Sequence, residues 1–276
     1  MTDLTVLNGH QVMFIGGGNM TTALVDGLLN AKDSHGLDLR LVVSDRNAPK
    51  RDAFTKKGVL AVSPEQAADA IKASDVVVLS VKPQVMAQVC GELKTALAGK
   101  LLVSVAAGLS LEKLSAMTGN ANIVRTMPNL PATVGFGATG LFSTQVNDAG
   151  KALADAIMAA SGVTVWVSDE EKLHAVTAVA GSAPAYFFYV LEHMTAKAVA
   201  MGLPEADARL LATQTMQGAA FMAKDADPKD LRAKVTSKGG TTHAAITCLE
   251  ENTVGAAIAL AMQACSDRSV ELGGLS

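Results

Sequence analysis

Short runs of apolar, often β-branched residues alternate with helical patterns over the first part of this 276-residue chain, and this alternation constrains the fold more than any other feature. The apolar runs are Val12–Ile15, Leu39–Ser44, Asp75–Val81, Lys100–Val105 and Asn122–Thr126, and the helical stretches between them include Met20–Asn30, Pro64–Lys72 and Gln84–Leu97. The runs are almost entirely apolar, which is typical of strands that are covered on both faces. The alternation therefore predicts an α/β domain built on a doubly wound parallel sheet.

The pattern changes near Asp169, beyond which the sequence has no strand-like runs. Alanine-rich stretches follow, and they predict helices over Ala183–Met201, Glu205–Lys224, Thr241–Glu251 and Thr253–Leu272. Helix breaks are clear at Gly202–Pro204 and at Asp225–Pro228. We therefore predict two domains without a flexible linker, an α/β domain over residues 1–167 and an all-α domain over residues 168–276.

The composition indicates a folded chain and limits its partners. Hydrophobic residues make up 49% of the chain but aromatic residues only 4%, so the core is expected to consist mainly of Ala, Val, Leu and Met. The net charge is −3 and the isoelectric point is near 6.0. This balance gives no electrostatic reason to expect nucleic acid or an anionic membrane as a partner.

Cysteine usage and the N-terminal sequence favour a cytoplasmic protein. Cys90, Cys248 and Cys265 are widely spaced and odd in number, which predicts a reducing compartment with neither a disulfide framework nor a metal site. The N-terminus lacks the basic and apolar regions of a signal peptide. The uncharged stretch Leu173–Leu191 is long enough to span a membrane, but its internal glycine, serine and proline favour a buried helix or a subunit interface.

A glycine turn connects the first predicted strand to the first long helix. Gly16 permits a tight turn, Gly18 lets the backbone approach a pyrophosphate, and the helix N-terminus supplies N–H donors. The third glycine of the GxGxxG pattern is replaced by Thr21, which weakens the match and leaves open a turn that binds nothing. The residues predicted to hold a dinucleotide here are Gly16, Gly17, Gly18, Asn19 and Met20.

The end of the second strand is expected to contact the adenosine ribose. An acidic residue there binds the ribose 2′-hydroxyl of NAD, whereas an arginine holds the 2′-phosphate of NADP. Asp45 and Arg46 are adjacent in this chain, with Ser44 and Asn47 as further donors. Because Arg46 is interpreted as the only nearby fixed cation for a 2′-phosphate, NADPH is the favoured cofactor and NADH is the alternative. The alternative for Asp45 is that it lies in a surface loop, is solvated and contacts no cofactor.

Two further strand ends are expected to face the cofactor, because ligands of doubly wound sheets bind beyond the carboxyl ends of the strands. Val81, Lys82 and Pro83 follow one such strand, although Lys82 also suits an ordinary exposed charge. Ala106 and Ala107 follow the next strand and leave space for a flat ring.

In the helical half, one loop has the composition of an anion site. It contains Ser237, Lys238, the glycine pair Gly239-Gly240 and then Thr241 and Thr242, at which a new helix is predicted to begin. Consecutive glycine N–H groups can converge on a small carboxylate, and the threonine hydroxyls add donors. The alternative is a plain turn between helices with a threonine as N-cap.

Taken together, these residues resemble the pyrroline-5-carboxylate reductase family along essentially the whole chain. The segments that carry the resemblance are FIGGGNM (Phe14–Met20), SVKPQ (Ser80–Gln84), RTMPN (Arg125–Asn129), GSAPAY (Gly181–Tyr186) and VTSKGGTT (Val235–Thr242). The chain departs from the common family pattern at Lys238, Ala183 and His174, where proline, glycine and an acid are usual.

The resemblance implies a Rossmann-type domain that binds NAD(P)H, followed by a helical dimerisation domain. It also implies hydride transfer to 1-pyrroline-5-carboxylate to give L-proline, at a site between the cofactor of one subunit and the helices of its partner. It places the substrate carboxylate at Ser237 and Gly239–Thr242, with the Thr242 hydroxyl facing the ring nitrogen as the catalytic contact. Glu170 is either a border of this site or a surface charge.

Two other functions are considered. A β-hydroxyacid dehydrogenase would resemble this plan but would carry a catalytic lysine on the first long helix of the second domain, and no lysine lies between Lys172 and Lys197. A regulatory protein that binds NADPH without turnover would be expected to lack the intact glycine–threonine loop.

Overall fold

The computed structural model describes residues 2–275, with the side chain of Leu275 excepted. It divides into two compact units, one formed by residues 2–182 with 265–275 and the other by residues 183–264. The units divide after residue 182, whereas the sequence predicts a domain boundary after residue 167. The division at residue 167 stays a prediction.

The first unit contains a mixed eight-stranded sheet. The strands are β1 (Gln11–Ile15), β2 (Arg40–Ser44), β3 (Leu60–Val62), β4 (Val76–Leu79), β5 (Leu101–Ser104), β6 (Ile123–Met127), β7 (Gly137–Phe142) and β8 (Gly162–Trp166). Their order across the sheet is β3-β2-β1-β4-β5-β6-β7-β8, and neighbours run parallel except for the antiparallel pair β6 and β7. The first six strands thus have the order of a Rossmann-type sheet, which confirms the predicted fold class.

Three strands are absent from the sequence-based prediction. β3 has only three residues, and β7 contains glycines at both Gly137 and Gly140, which lowers its strand propensity. β8 follows β7 at the sheet edge, where Val163 and Val165 are exposed. Tertiary pairing forms these strands where local sequence signals are weak.

Helices cover both faces of the sheet. They are α1 (Asn19–His35), α2 (Ala48–Thr55), α3 (Pro64–Lys72), α4 (Pro83–Leu97), α5 (Leu111–Thr118), α6 (Asp148–Ala159) and the short α7 (Lys172–Val176), which continues as a π-helical turn over Thr177–Gly181. Successive side chains of β1 point to opposite faces: Val12 and Phe14 join one buried cluster, whereas Met13 and Ile15 join another. Burial on both faces explains why this strand is apolar from Val12 to Ile15.

The second unit is helical, as the sequence predicts. Its helices are α8 (Ala183–Ala200), α9 (Glu205–Met222), α10 (Pro228–Lys234), α11 (Thr241–Glu251) and the first part of α12 (Val254–Leu275). Gly202 adopts a φ of +102° at the predicted break after α8. Residues 265–275 of α12 belong to the first unit.

One helical stretch of the described residues, Lys172–Ala200, is long and apolar enough to cross a membrane, and the bent pair Thr241–Glu251 and Val254–Gly274 passes the same test when taken together. Only 17% of the apolar window of Lys172–Ala200 is buried within this chain. The helix is therefore not a buried helix of the single chain.

Candidate functional site

The glycine turn after β1 lies where the strand order of the sheet reverses, between β1 and β4. Gly16 has a φ of +101° and donates its N–H to the Ser44 carbonyl at 2.8 Å. A Cβ atom on Gly16 would lie 2.7 Å from the backbone oxygen of Ser80, so no other residue fits without a backbone shift. The turn thus connects the ends of three neighbouring strands at the edge where doubly wound sheets bind ligands.

Thr21 occupies the place of the third glycine and is fully buried. Its hydroxyl donates to the Gly16 carbonyl at 2.5 Å and lies 2.8 Å from the Ser80 hydroxyl. Thr21 is therefore compatible with this turn. Its hydroxyl stabilises the loop, whereas a glycine at this position would only allow close packing. The sequence alone gives no indication of this hydrogen bond.

The N-terminus of α1 is open toward solvent. Gly18 is its N-cap residue and no side chain caps the first N–H groups. A Cβ atom on Gly18 would meet nothing within 4 Å, so the space in front of the helix suits a pyrophosphate. Asn19 is exposed, whereas Met20 packs against the buried cluster and offers its backbone to a ligand. The five residues predicted here are consecutive along the glycine turn and the start of α1, and their role in binding a dinucleotide stays a prediction.

The ribose end of the predicted site lies after β2. Asp45 Oδ2 accepts the Gly17 N–H at 2.7 Å, and Asp45 Oδ1 accepts the Asn47 N–H at 2.8 Å. The Asn47 side chain accepts the Lys50 N–H and caps α2. Ser44 is buried, and its carbonyl accepts the Gly16 N–H. Asp45 is therefore not a solvated loop residue.

The interpretation of Arg46 as the nearby cation needs correction. Arg46 is exposed next to Asp45, but Lys50 Nζ lies 3.9 Å from Asp45 Oδ2, and Arg51 Nη1 donates to the Asp45 carbonyl at 2.7 Å. The first turns of α2 bring both residues to this edge, which the sequence reading missed because it did not identify α2. Arg46 is therefore not the only cation near the end of β2, because Lys50 and Arg51 also lie beside Asp45.

The ends of β4 and β5 lie beside the glycine turn along the same sheet edge. Lys82 is exposed and is the N-cap residue of α4, and Pro83 occupies the first helical position without any side-chain cap on the helix. Val81 is half-buried beside them. After β5, Ala106 is buried and donates its N–H to the Ser104 hydroxyl, whereas Ala107 is exposed.

Glu170 does not offer a free carboxylate. Its Oε1 accepts the Arg125 guanidinium at 2.8 Å and the Leu111 N–H at 2.7 Å. Arg125 is buried, and Glu170 Oε1 thereby connects the middle of β6 and the start of α5 to the segment before α7. The structure therefore gives Glu170 a structural role, and its assignment to the substrate site gains no support.

In the second unit, the glycine–threonine loop ends at an open helix N-terminus. Gly239 has a φ of +75°, and Gly240 donates its N–H to the Ser237 carbonyl at 3.0 Å. Gly240 is the N-cap residue of α11 and no side chain caps the helix, so the expectation of a threonine N-cap is wrong, whereas a plain turn between helices stays an alternative. Thr241 and Thr242 form the first turn, with Thr242 half-buried. This arrangement suits a small carboxylate.

The three departures from the family pattern have different surroundings. Lys238 is exposed to solvent, and Ala183 is buried at the start of α8. His174 Nδ1 lies 2.8 Å from the Ser269 hydroxyl, and its Nε2 lies 3.8 Å from Glu171. His174 therefore connects α7 to the final turns of α12 within the first unit.

Other reactive groups lie away from these two sets of residues. Burial raises the pKa of the Cys90 thiol to about 11 and keeps it protonated. Among the described residues, no group of three or more His, Cys, Asp or Glu side chains could hold a metal ion. A cleft of about 420 Å³ beside Trp166 and another of about 750 Å³ beside Phe188 are lined by none of the predicted site residues.

Comparison with known proteins gives matches along nearly the whole chain. Residues 170–272 match the family model described as pyrroline-5-carboxylate reductase dimerisation, and residues 11–108 match the model described as NADP oxidoreductase coenzyme F420-dependent. The pyrroline-5-carboxylate reductase of Haemophilus influenzae is 44% identical over 95% of this chain and 97% of its own length. That of Pseudomonas aeruginosa is 41% identical over 95% of this chain and 96% of its own length.

Solved structures give the same result. A pyrroline-5-carboxylate reductase from Coxiella burnetii matches with a TM-score of 0.89 at 39% identity, covering 96% of this chain and 99% of its own. The Plasmodium falciparum pyrroline carboxylate reductase, solved with NADP bound, matches with a TM-score of 0.82 at 27% identity, covering 97% of this chain and 99% of its own. The order of the motifs, the sheet and the full-length similarity agree, and the chain belongs to the pyrroline-5-carboxylate reductase family.

Proposed function

We propose that this protein reduces 1-pyrroline-5-carboxylate to L-proline with a reduced nicotinamide cofactor, the last step of proline biosynthesis. The observation that carries the proposal is the 44% identity to a reductase of this name over nearly the full length of both chains. The geometry supports it, because the chain has both an open dinucleotide cradle at the strand-order reversal and an uncapped helix N-terminus behind a glycine pair.

The first unit would bind and orient the cofactor. Gly16, Gly17 and Gly18 would let the pyrophosphate approach the α1 N-terminus. The strand ends at Val81–Pro83 and at Ala106–Ala107 would border the nicotinamide end. When bound, the reduced nicotinamide supplies the hydride that is added to the C=N carbon of the ring. The protein contributes mainly positioning, since the cyclic imine can arrive already protonated and needs no strong general acid.

The second unit would bind the substrate. Ser237 and the N–H groups of Gly239–Thr242 would hold the carboxylate at the positive end of α11. The Thr242 hydroxyl would face the ring nitrogen, which carries the proton and loses its positive charge as the hydride arrives. The resemblance assigns the loop and the cofactor to different subunits, so hydride transfer requires a self-associated protein.

NADPH is the favoured cofactor within this proposal. Arg46, Lys50 and Arg51 provide three cations near the end of β2, and a phosphate gains more from such a cluster than an uncharged hydroxyl does. A relative solved with NADP bound supports the same preference. NADH stays a possible second cofactor.

Self-association is proposed to take the form of a homodimer or a higher homo-oligomer in the cytoplasm. The second unit matches the dimerisation model of the family and exposes large apolar side chains along α8 and α9, among them Phe187, Phe188, Leu210 and Leu211. A second copy of the chain is the partner that would cover them. Nucleic acid and membrane are not proposed as partners.

Oxidation of NADPH in the presence of 1-pyrroline-5-carboxylate tests the proposed function directly. We expect NADPH consumption that depends on this substrate, with L-proline formed in equal amount. Binding of NADPH without turnover would favour a regulatory protein. Turnover of β-hydroxyacids with NAD(P)⁺ but not of 1-pyrroline-5-carboxylate would favour the dehydrogenase alternative.

A further inference from the structure

The carboxylate of Asp45 binds two backbone segments at once. Oδ2 accepts the N–H of Gly17 in the glycine turn at 2.7 Å, and Oδ1 accepts the N–H of Asn47 at the start of α2 at 2.8 Å. Gly17 and Asp45 lie 28 positions apart in the sequence. The side chain therefore joins the pyrophosphate end of the predicted dinucleotide cradle to its ribose end.

The surroundings of Asp45 leave its carboxylate little freedom. Its side chain is only 11% exposed. A Cβ atom on Gly17 would lie 3.2 Å from Asp45 Oδ2 and 2.9 Å from the ring of Phe54, so the glycine backbone is enclosed between the two side chains. Arg51 Nη1 holds the Asp45 carbonyl at 2.7 Å, which fixes the backbone from which the carboxylate projects.

An acid at the end of the second strand of such a sheet ordinarily accepts the 2′-hydroxyl of the adenosine ribose, which selects NAD and repels the 2′-phosphate of NADP. In this chain both carboxylate oxygens already accept N–H groups of the protein. Lys50 Nζ lies 3.9 Å from Oδ2, and Arg46 is adjacent in sequence, so cations offset the negative charge. Asp45 therefore has a task within the protein that does not depend on selecting NAD, and its charge does not have to repel the 2′-phosphate of NADP.

We propose that Asp45 is a positioning residue that holds Gly17 in the conformation that binds a pyrophosphate, and that it does not discriminate between NADPH and NADH. This inference rests on the proposed binding of a nicotinamide dinucleotide, but not on the identity of the substrate. Discrimination by the 2′-phosphate then belongs to Arg46, Lys50 and Arg51 of the same loop and helix.

Direct binding measurements with two variants test the proposal. Asp45→Asn keeps the size of the side chain but has a single carbonyl oxygen, so it cannot accept both N–H groups. Asp52→Asn removes a neighbouring exposed carboxylate of α2 and serves as the control for the change in charge. Dissociation constants of NADPH and NADH are measured by fluorescence titration without substrate.

Relative to Asp52→Asn, we expect Asp45→Asn to raise the dissociation constants of NADPH and NADH by the same factor, about tenfold, because one charge-assisted hydrogen bond to the turn is lost. KM for 1-pyrroline-5-carboxylate should not change. A selective loss of NADH binding would overturn the proposal in favour of a ribose-binding acid. A selective gain of NADPH binding, or no change for either cofactor, would overturn it as well.

Hydrogen exchange in the cofactor-free protein gives a second readout that does not depend on turnover, and its first comparison uses only the natural sequence. The Gly17 amide should exchange slowly in the natural sequence, whereas the Gly18 amide, at the open end of α1, should exchange fast. In Asp45→Asn the Gly17 amide should exchange at least about tenfold faster, with the Asp52→Asn protein unchanged. Fast exchange of Gly17 in the natural sequence would overturn the proposal, whatever reaction the enzyme catalyses.

Discussion

The two compact units of this chain bury their apolar residues to very different extents. In the first unit, β1 and β4 are covered on both faces, and side chains such as Phe14, Met13 and Leu79 are fully buried. In residues 183–264, all of which the structure describes, the buried side chains are the alanines Ala183, Ala208 and Ala212. Many of the larger apolar residues of that unit, including Phe188 and Leu210, are exposed, and the others are half-buried.

This difference cannot come from composition alone, because both units are rich in apolar residues. It comes from architecture: a sheet with helices on both faces encloses its own core, whereas long alanine-rich helices leave wide apolar faces uncovered. A monomeric protein rarely exposes so many large apolar side chains. The comparison therefore indicates that one chain is sufficient for the first unit and that the second unit needs another copy.

The largest expected effect comes from placing a charge on each unit at a similarly exposed leucine. Leu210 is 66% exposed on α9 and Leu60 is 61% exposed on β3. Leu210→Glu should reduce the particle mass and lower kcat/KM by about a hundredfold or more, because an unpaired charge would have to be buried between copies. Leu60→Glu should change neither. Size-exclusion chromatography with light scattering measures the particle mass, and a steady-state assay measures kcat/KM. If the two variants behaved alike, the second unit would not depend on another copy any more than the first unit does.

The next effect separates substrate binding in the second unit from cofactor binding in the first. Thr242→Val removes one hydroxyl with little change in shape and should lower kcat/KM for 1-pyrroline-5-carboxylate by about 10- to 100-fold. The dissociation constant of NADPH should not change. The shape of the pH–rate profile should persist, because Thr242 donates a hydrogen bond and is not a general acid.

Thr236→Val is the matched control, since Thr236 lies just before the same loop and its hydroxyl donates to the Arg232 carbonyl of α10 at 2.6 Å. It should keep kcat/KM within about twofold of the natural sequence. If Thr242→Val retained full kcat/KM across the pH range, another group would serve the ring nitrogen, and the assignment of Thr242 would be wrong.

A smaller effect concerns the cation cluster of the first unit. Arg46→Ala should raise KM for NADPH by about tenfold and leave KM for NADH unchanged, because Lys50 and Arg51 retain part of the attraction for the 2′-phosphate. Arg40→Ala is the control and should affect neither cofactor. Arg40 is the first residue of β2, whereas Arg46 lies just beyond the end of that strand. Equal effects of Arg46→Ala on both cofactors would exclude a contact with the 2′-phosphate.

The smallest effect is a difference in thiol reactivity between the units. Because burial raises the pKa of Cys90 to about 11, roughly one part in a thousand of this thiol is ionised at about pH 8. Cys248 is exposed on α11. An alkylating reagent should label Cys248 and leave Cys90 unmodified until the first unit unfolds, as peptide mass analysis would detect. Labelling of Cys90 at the rate of Cys248 would show that the first core opens readily.

Much of the fold could be predicted from local sequence patterns. α3 and α11 begin and end where the periodicity and the proline, glycine and threonine signals predict. The glycine turn and the loop at Ser237–Thr242 could also be found from the sequence, because the backbone conformations that they need limit the residues allowed there. β7 could not, since its pairing with β6 supplies what its glycine-rich sequence lacks.

The contacts that depend on long-range packing could not be predicted. Nothing in the sequence indicates that Glu170 pairs with Arg125, or that Asp45 accepts the Gly17 N–H, because each bond joins segments that only the folded sheet brings together. The roles of Lys50 and Arg51 required the position of α2, whose short and polar sequence has no apolar periodicity to identify it. Sequence motifs identified the glycine turn after β1 and the loop at Ser237–Thr242. Which side chains fix these segments in place depends on packing.

We expect the helical unit to form its core, and the enzyme to be active, only when copies of the chain associate. Sedimentation velocity over a dilution series, with reduction of 1-pyrroline-5-carboxylate assayed in the same samples, measures both properties together. We predict a particle of at least twice the 28.3 kDa chain mass under all conditions that support activity, with activity lost as the particle dissociates. A fully active particle of 28.3 kDa would contradict the account.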